Sequence, residues 1–307
     1  MHGEVSTKAT RPSLARFAWL SVGAAVATIV LKLFAWWLTD SVGLLSDALE
    51  SFVNLAAALV TLGMLILATR PPTEQHAYGF SKAEYLASAF EGLLILLAAC
   101  AIAYAAILRF MNPLPIQQAV AGVTVSLLAS IINFAVARVL LRQAREHRSI
   151  ALDADARHLM TDVWTSVGVV VAVGAVAVTG WWQLDPIVAL AVAANIVWTG
   201  ASLLRQSFRG LMDEAIPGTQ RDAVIAVLDS YYDAGVRYHA LRTRQAAGRS
   251  FVSVHVLVPG EWTVAHAHNI ADEIEARVRA AVPGSCTETH LEPVGDPSSY
   301  EDIDLDR

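Results

Sequence analysis

The sequence is short of charge and of cysteine, and each shortage narrows what the chain can be. Of 307 residues only 16% are charged, against roughly a quarter in an ordinary soluble domain. Cysteine occurs at Cys100, inside an apolar run, and at Cys286, in a polar tail, so a disulfide framework is not expected. There is no excess of basic residues. The formal net charge of −6 argues against nucleic acid as a partner. The first residues are polar and the first apolar run is too long for a removed secretory signal. No internal repeat or low-complexity segment stands out. The chain also lacks an HExxH motif and any nucleophile set beside a base, so an intramembrane hydrolase is left without its chemistry. It does not read as an enzyme.

What is abundant is apolar sequence, 55% of residues, with a mean hydropathy of +0.48. Six stretches approach the roughly 20 residues that cross a bilayer as a helix: 15–38, 43–69, 83–110, 116–141, 159–181 and 184–207. Helices are expected because a lone strand cannot satisfy its backbone in lipid. Basic residues alternate with their absence along the connections. Lys8, Arg11 and Arg16 precede the first stretch, Arg70 and Lys82 bracket the second connection, and Arg138, Arg142, Arg145, Arg148 and Arg157 surround the fourth. The intervening turns carry none, apart from Arg109 at the end of the third stretch. The positive-inside rule then puts both termini in the cytoplasm of a multi-pass protein of the inner (plasma) membrane.

Composition changes after the last stretch, which predicts a six-helix membrane domain over 1–213 and a soluble domain over 214–307. In the latter, helices over 219–233 and 264–282 and strands over 238–244, 251–258 and 287–292 predict an αββαβ order. Residues 205–217, with Gly210 and Pro217, read as the hinge.

Ionisable groups inside a span cost about 2.5–3.5 kcal/mol each on insertion scales, so they mark candidate pathways. The second stretch holds Asp47, Glu50 and Asn54, and the fifth region holds His158 and Asp162. Glu50 and Asn54 are four apart, as are His158 and Asp162, which places each pair on one helix face. Together they offer one imidazole nitrogen and several oxygens, a donor set suited to tetrahedral zinc and, less selectively, to manganese, iron, cobalt or cadmium. A purely structural polar cluster is the alternative, with His158 at the interface near a helix end and Asp47 and Glu50 facing water. Lys32 and Glu91, the other charges in apolar stretches, are read as structural. A membrane-anchored metal sensor is the competing class.

The run Ser41–Asn54, the loop His76-Ala-Tyr-Gly-Phe-Ser-Lys-Ala-Glu84 and His158-Leu-Met-Thr-Asp162 resemble the cation diffusion facilitators, especially their bacterial zinc and ferrous-iron efflux branch. The likeness runs from Lys32 to Pro293. It implies a homodimer with six helices per subunit, a metallochaperone-like (ferredoxin-like) cytoplasmic domain, and metal/proton antiport across the lipid bilayer. It places the transport site on Glu50, Asn54, His158 and Asp162, with Asp47 as an auxiliary group. Asn54 departs from the branch, where carboxylates usually stand at both second-span positions. A loop site is only partly present: Glu74 and His76 remain, but Phe80 stands where a second histidine is common. A further zinc site in the cytoplasmic domain falls on His239, His255, His268, His290 and Glu292, with Glu where Asp is usual. Lys82 and Asp213 match a charge interlock that holds the dimer.

Overall fold

The computed structural model describes residues 14–39, 42–111 and 119–301; at 38–39, 42–47, 49–50, 53, 119–123, 169, 173–174, 177 and 185 it describes the backbone alone. The chain divides into two compact units, Met1–Phe208 and Arg209–Arg307.

The first unit is helical: α1 (Ala15–Thr39), α2 (Val42–Ala68), α3 (Ala83–Met111), α4 (Ala119–His147), α5 (Ile150–Thr179) and α6 (Leu184–Leu211). Among the described residues, Ala15–Trp37, Ala83–Met111, Thr124–His147 and Pro186–Leu211 are long and apolar enough to cross a membrane, and Asn54–Ala68 is a shorter apolar helix. Small residues fill the interior, with Ala18, Ala58, Ala87, Ala137, Ala151 and Ala156 buried beside Leu62, Leu140 and Leu152. Large apolar side chains such as Trp37, Val178 and Trp198 stand outward instead. That inversion suits a bundle whose solvent is lipid, where helices associate through close packing.

The fifth helix corrects the sequence reading. It begins at Ile150, not near 159, and carries Asp153, Asp155 and Arg157 in its first turns. Ser149 caps it, its hydroxyl accepting from Leu152 N and donating to the buried Glu84 carboxylate at 2.5 Å. Arg157 pairs with Asp153 at 2.7 Å, one turn apart, while Asp155 turns inward and accepts from Ser21 at 2.7 Å. Charges that looked like the boundary of a span thus find partners within the helices, although Asp155 Oδ2 is left without a hydrogen bond among the described residues. His158 consequently sits about two turns inside α5 and is buried, not at a helix end. The fourth helix extends on to His147; residues 116–118 of its expected span lie outside the described part.

Helices α3 and α6 meet at a glycine pair. A Cβ on Gly200 would lie 3.0 Å from the Gly92 carbonyl oxygen and 2.8 Å from Leu96 Cγ. The leucine tip can turn away, but the backbone oxygen cannot. Gly200→Val is therefore expected to destabilise the bundle by about 1–3 kcal/mol, the usual cost of overpacking. A thermal melt in detergent checks this, and an unchanged midpoint would show that the crossing tolerates bulk.

The second unit contains α7 (Gly218–Asp229), β1 (Arg237–Ala246), β2 (Arg249–Val258), α8 (Val264–Ala281) and β3 (Ser285–Pro293), with short 3-10 turns at Tyr232–Ala234 and Pro297–Tyr300. The expected first helix is thus shorter, and the 3-10 turn takes up its end. The sheet order is β1-β2-β3, antiparallel between β1 and β2 and parallel between β2 and β3. The parallel pair needs a crossover, which α8 supplies. Alternation along β2 sends Val252, Val254, Val256 and Val258 into a core shared with Val224, Leu228, Ile274 and Val278. His255 is left on the opposite face. The order is the expected αββαβ, and both cysteines are free.

Candidate metal centres

Two sites emerge, one in each unit. In the first, α2 and α5 bring Asn54, His158 and Asp162 together. His158 Nε2 lies 3.0 Å from Asn54 Oδ1, and Asn54 Nδ2 donates to Asp162 Oδ2 at 2.7 Å. The Asn54 amide therefore bridges the two α5 side chains. Asn133 of α4 also donates to Asp162 Oδ2, at 3.2 Å. Asp47 and Glu50 belong to α2, but their side chains lie outside the described part. A polar cavity of about 60 Å³ opens here, lined by Asn54, Asp162, Asn133, Lys32, Ser126 and Thr165 among others. Lys32 Nζ donates to Ser51 Oγ at 2.8 Å, so the lysine has a partner inside the bundle.

Behind His158 stands Glu91 of α3, fully buried. Its Oε1 accepts from Thr61 at 3.0 Å, and its Oε2 lies 2.8 Å from His158 Nδ1. The second approach is oblique, a charge contact without the angles of a hydrogen bond; neither atom has any other partner among the described residues. Both imidazole nitrogens thus face oxygen. Spacing arguments found Asn54, His158 and Asp162, but missed Asn133 and gave Glu91 only a structural role. Each comes from a different helix, and only its polarity within an apolar run signalled it.

The second site is built by strand register. His239 of β1 pairs with His255 of β2, which pairs with His290 of β3, so three imidazoles form one row across the sheet. Neighbouring rings lie 5.0 and 4.9 Å apart. Glu292, two residues beyond His290 and so on the same face, reaches all three. Its oxygens lie 2.7 Å from His239 Nε2, 3.1 Å from His255 Nδ1 and 3.5 Å from His290 Nε2. His239, His255 and Glu292 offer ligand atoms within 4.8 Å of one another. The donor set fits a divalent transition metal: imidazole nitrogens around a carboxylate, with a buried Nδ1 on His239 that lacks a hydrogen bond among the described residues.

A bulge after His239, where Ala240 takes a φ of 48°, shifts the β1–β2 register next to the site. The ring of Tyr300, which spacing did not single out, lies 5.7 Å from that of His239. It rides on the 3-10 turn capped by Asp296, whose carboxyl is held below its ordinary range by the backbone N–H and then the hydroxyl of Ser298. His268, expected among these ligands, is exposed on α8, with Nε2 3.6 Å from Asp272 Oδ2.

The remaining candidates make other contacts. Glu74 and His76 are exposed in a turn, with His76 Nδ1 3.3 Å from Thr73 Oγ1 and its ring 4.6 Å from that of Phe80. Lys82 precedes α3. Asp213 follows α6 with a φ of 55° and lies 3.5 Å from Arg244.

An apolar helical bundle with a polar site between α2 and α5, followed by an αββαβ unit with a histidine row, defines a class. Residues 18–212 match the cation efflux transmembrane domain and residues 216–294 the cation efflux protein cytoplasmic domain, so the chain belongs to the cation efflux family. It is a membrane transporter of cations, not an enzyme. It is 50% identical to an uncharacterized transporter of Synechocystis sp., over 94% of this chain and 93% of that one. It is 30% identical to the cation-efflux pump FieF of Klebsiella pneumoniae, over 91% and 93%. A solved structure of CzrB in its Zn form shares 34% identity, with a TM-score of 0.26, over 27% of this chain and 96% of that one.

Proposed function

We propose that the chain exports a divalent transition-metal ion, zinc foremost, from the cytoplasm in exchange for protons, as a homodimer in the inner (plasma) membrane with both termini inside. The observation that carries this reading is the contact of Asn54, His158 and Asp162 across α2 and α5, inside an apolar bundle. Glu50, one turn from Asn54, completes the ligand set in this reading, with Asp47 beside it. Similarity to a protein named as a cation-efflux pump supports the direction of transport.

The exchange follows from the chemistry of the donors. An imidazole nitrogen or carboxylate ligates only when deprotonated, so ion and proton compete for the same atoms. When the ion binds from the cytoplasm, it displaces the hydrogen on His158 Nε2 and breaks the bridge through Asn54. When the helices rock outward, protons return and release the ion. Asn54 supplies a neutral oxygen, so with Glu50 and Asp162 the ligands carry charge to balance a divalent ion and no more. A second ion on His239, His255, His290 and Glu292 regulates or stiffens the cytoplasmic domain. Domain limits of 1–213 and 214–307 and a Lys82–Asp213 interlock between subunits complete the proposal. The loop at Glu74 and His76 passes metal only transiently.

A metal panel in proteoliposomes under an imposed pH gradient tests it. Zinc flux that collapses with the gradient is the expected result, and Asn54→Asp is expected to strengthen apparent zinc affinity while slowing release. Flux of equal size with no pH gradient removes the antiport reading.

A further inference from the structure

A buried carboxylate has to be balanced, and the balance at Glu91 points into the transport site. Glu91 is 0% exposed, and no lysine or arginine pairs with it among the described residues. An isolated ionised carboxylate in such surroundings is costly. Thr61 fixes one oxygen; the other is pressed against His158 Nδ1 at 2.8 Å. Among the described residues, the group that stands against this oxygen is the imidazole. Its far nitrogen, Nε2, faces Asn54 Oδ1 at 3.0 Å.

Resting on the transport-site reading above, we propose that Glu91 is a positioning residue for the transported ion. Its Oε2, 2.8 Å from Nδ1, holds the ring with Nε2 turned towards Asn54 and the ion, and it places an acidic group behind the ring that Asn54 does not supply. Carboxylates behind ligating histidines fix the tautomer and raise the basicity of the ligand. A more basic imidazole favours ions that bind nitrogen well, such as zinc, over oxygen-preferring ions such as manganese. Glu91 therefore sets selectivity without touching the ion. In this chain a buried acidic side chain on the third helix stands on the other side of the histidine from Asn54.

The test compares apparent KM for zinc and for manganese in proteoliposomes for four variants of the full chain. Glu91→Gln is expected to raise the zinc KM by about 10–100-fold, the usual cost of losing such a partner, and the manganese KM by less. Glu91→Gln with Asn54→Asp, which returns the charge to the second helix, is expected to move the zinc-to-manganese ratio back towards wild type. Thr61→Val, which frees one Glu91 oxygen with little change of volume, is expected to shift the ratio the same way by a smaller factor. It serves if Glu91→Gln fails to accumulate. Equal losses for both ions, or none, in Glu91→Gln and Thr61→Val would overturn the proposal and leave Glu91 structural. His158→Ala in the same series separates the two readings. If it abolishes flux while the Glu91 series leaves the ratio unchanged, only the Glu91 inference fails; if it leaves flux intact, the transport site itself is wrong.

Discussion

Replacing His158 with alanine is expected to lower metal flux by more than about 100-fold, beyond the loss usual for a residue that only supports a ligand. The imidazole is the sole nitrogen donor between α2 and α5 among the described residues, and it joins two otherwise separate groups. On one side it meets Asn54, and through it Asp162; on the other it meets Glu91. Removing it takes away a ligand and leaves the Glu91 carboxylate buried without its partner, an imbalance that elsewhere costs about 3–5 kcal/mol. Flux must therefore be read beside a detergent melt. His158→Gln is the useful companion, since its amide still offers a donor to Glu91 but no nitrogen lone pair. Both variants inactive, with the glutamine form folded, is the expected outcome. Wild-type flux in the folded glutamine variant would mean that the ion does not use this imidazole.

The second large effect is expected at Glu292. Its carboxylate is the common neighbour of three imidazoles, so Glu292→Ala should remove the ion held by the cytoplasmic domain. Counting bound zinc per chain in the purified full-length protein checks this, as does the loss of that binding on acidification, when protons compete for the ligand atoms. The domain should stay folded, because its core of Val252, Val254, Val256 and Val258 lies on the other face of β2. The same count in the His158 variants keeps the two centres distinct. An unchanged zinc count in Glu292→Ala would place the bound ion elsewhere.

Legibility in the sequence followed the range of the interactions. Helices, strands and the pairing of His158 with Asp162 are local, set by hydropathy and by a four-residue step, and they were readable. The start of α5 was not, because Asp153, Asp155 and Arg157 resemble an interface until Ser21 and the i,i+4 pair are seen to satisfy them. Ser149 was the available signal, a cap three residues before Leu152. Glu91 and Asn133 depend on which helices are neighbours, and spacing along one helix carries no such information. In the C-terminal domain, alternation put His255 opposite the valines, but only strand register could show that His239, His255 and His290 stand level.

That level row has a consequence for when the cytoplasmic domain can hold an ion at all. One imidazole comes from each strand, and the carboxylate comes from β3, the last to be synthesised. A chain still lacking β3 has His239 and His255 without His290 and Glu292; a slip of one residue in the pairing of β3 would turn His290 and Glu292 towards the interior. Metal binding by this unit is therefore expected only once β3 has paired with β2.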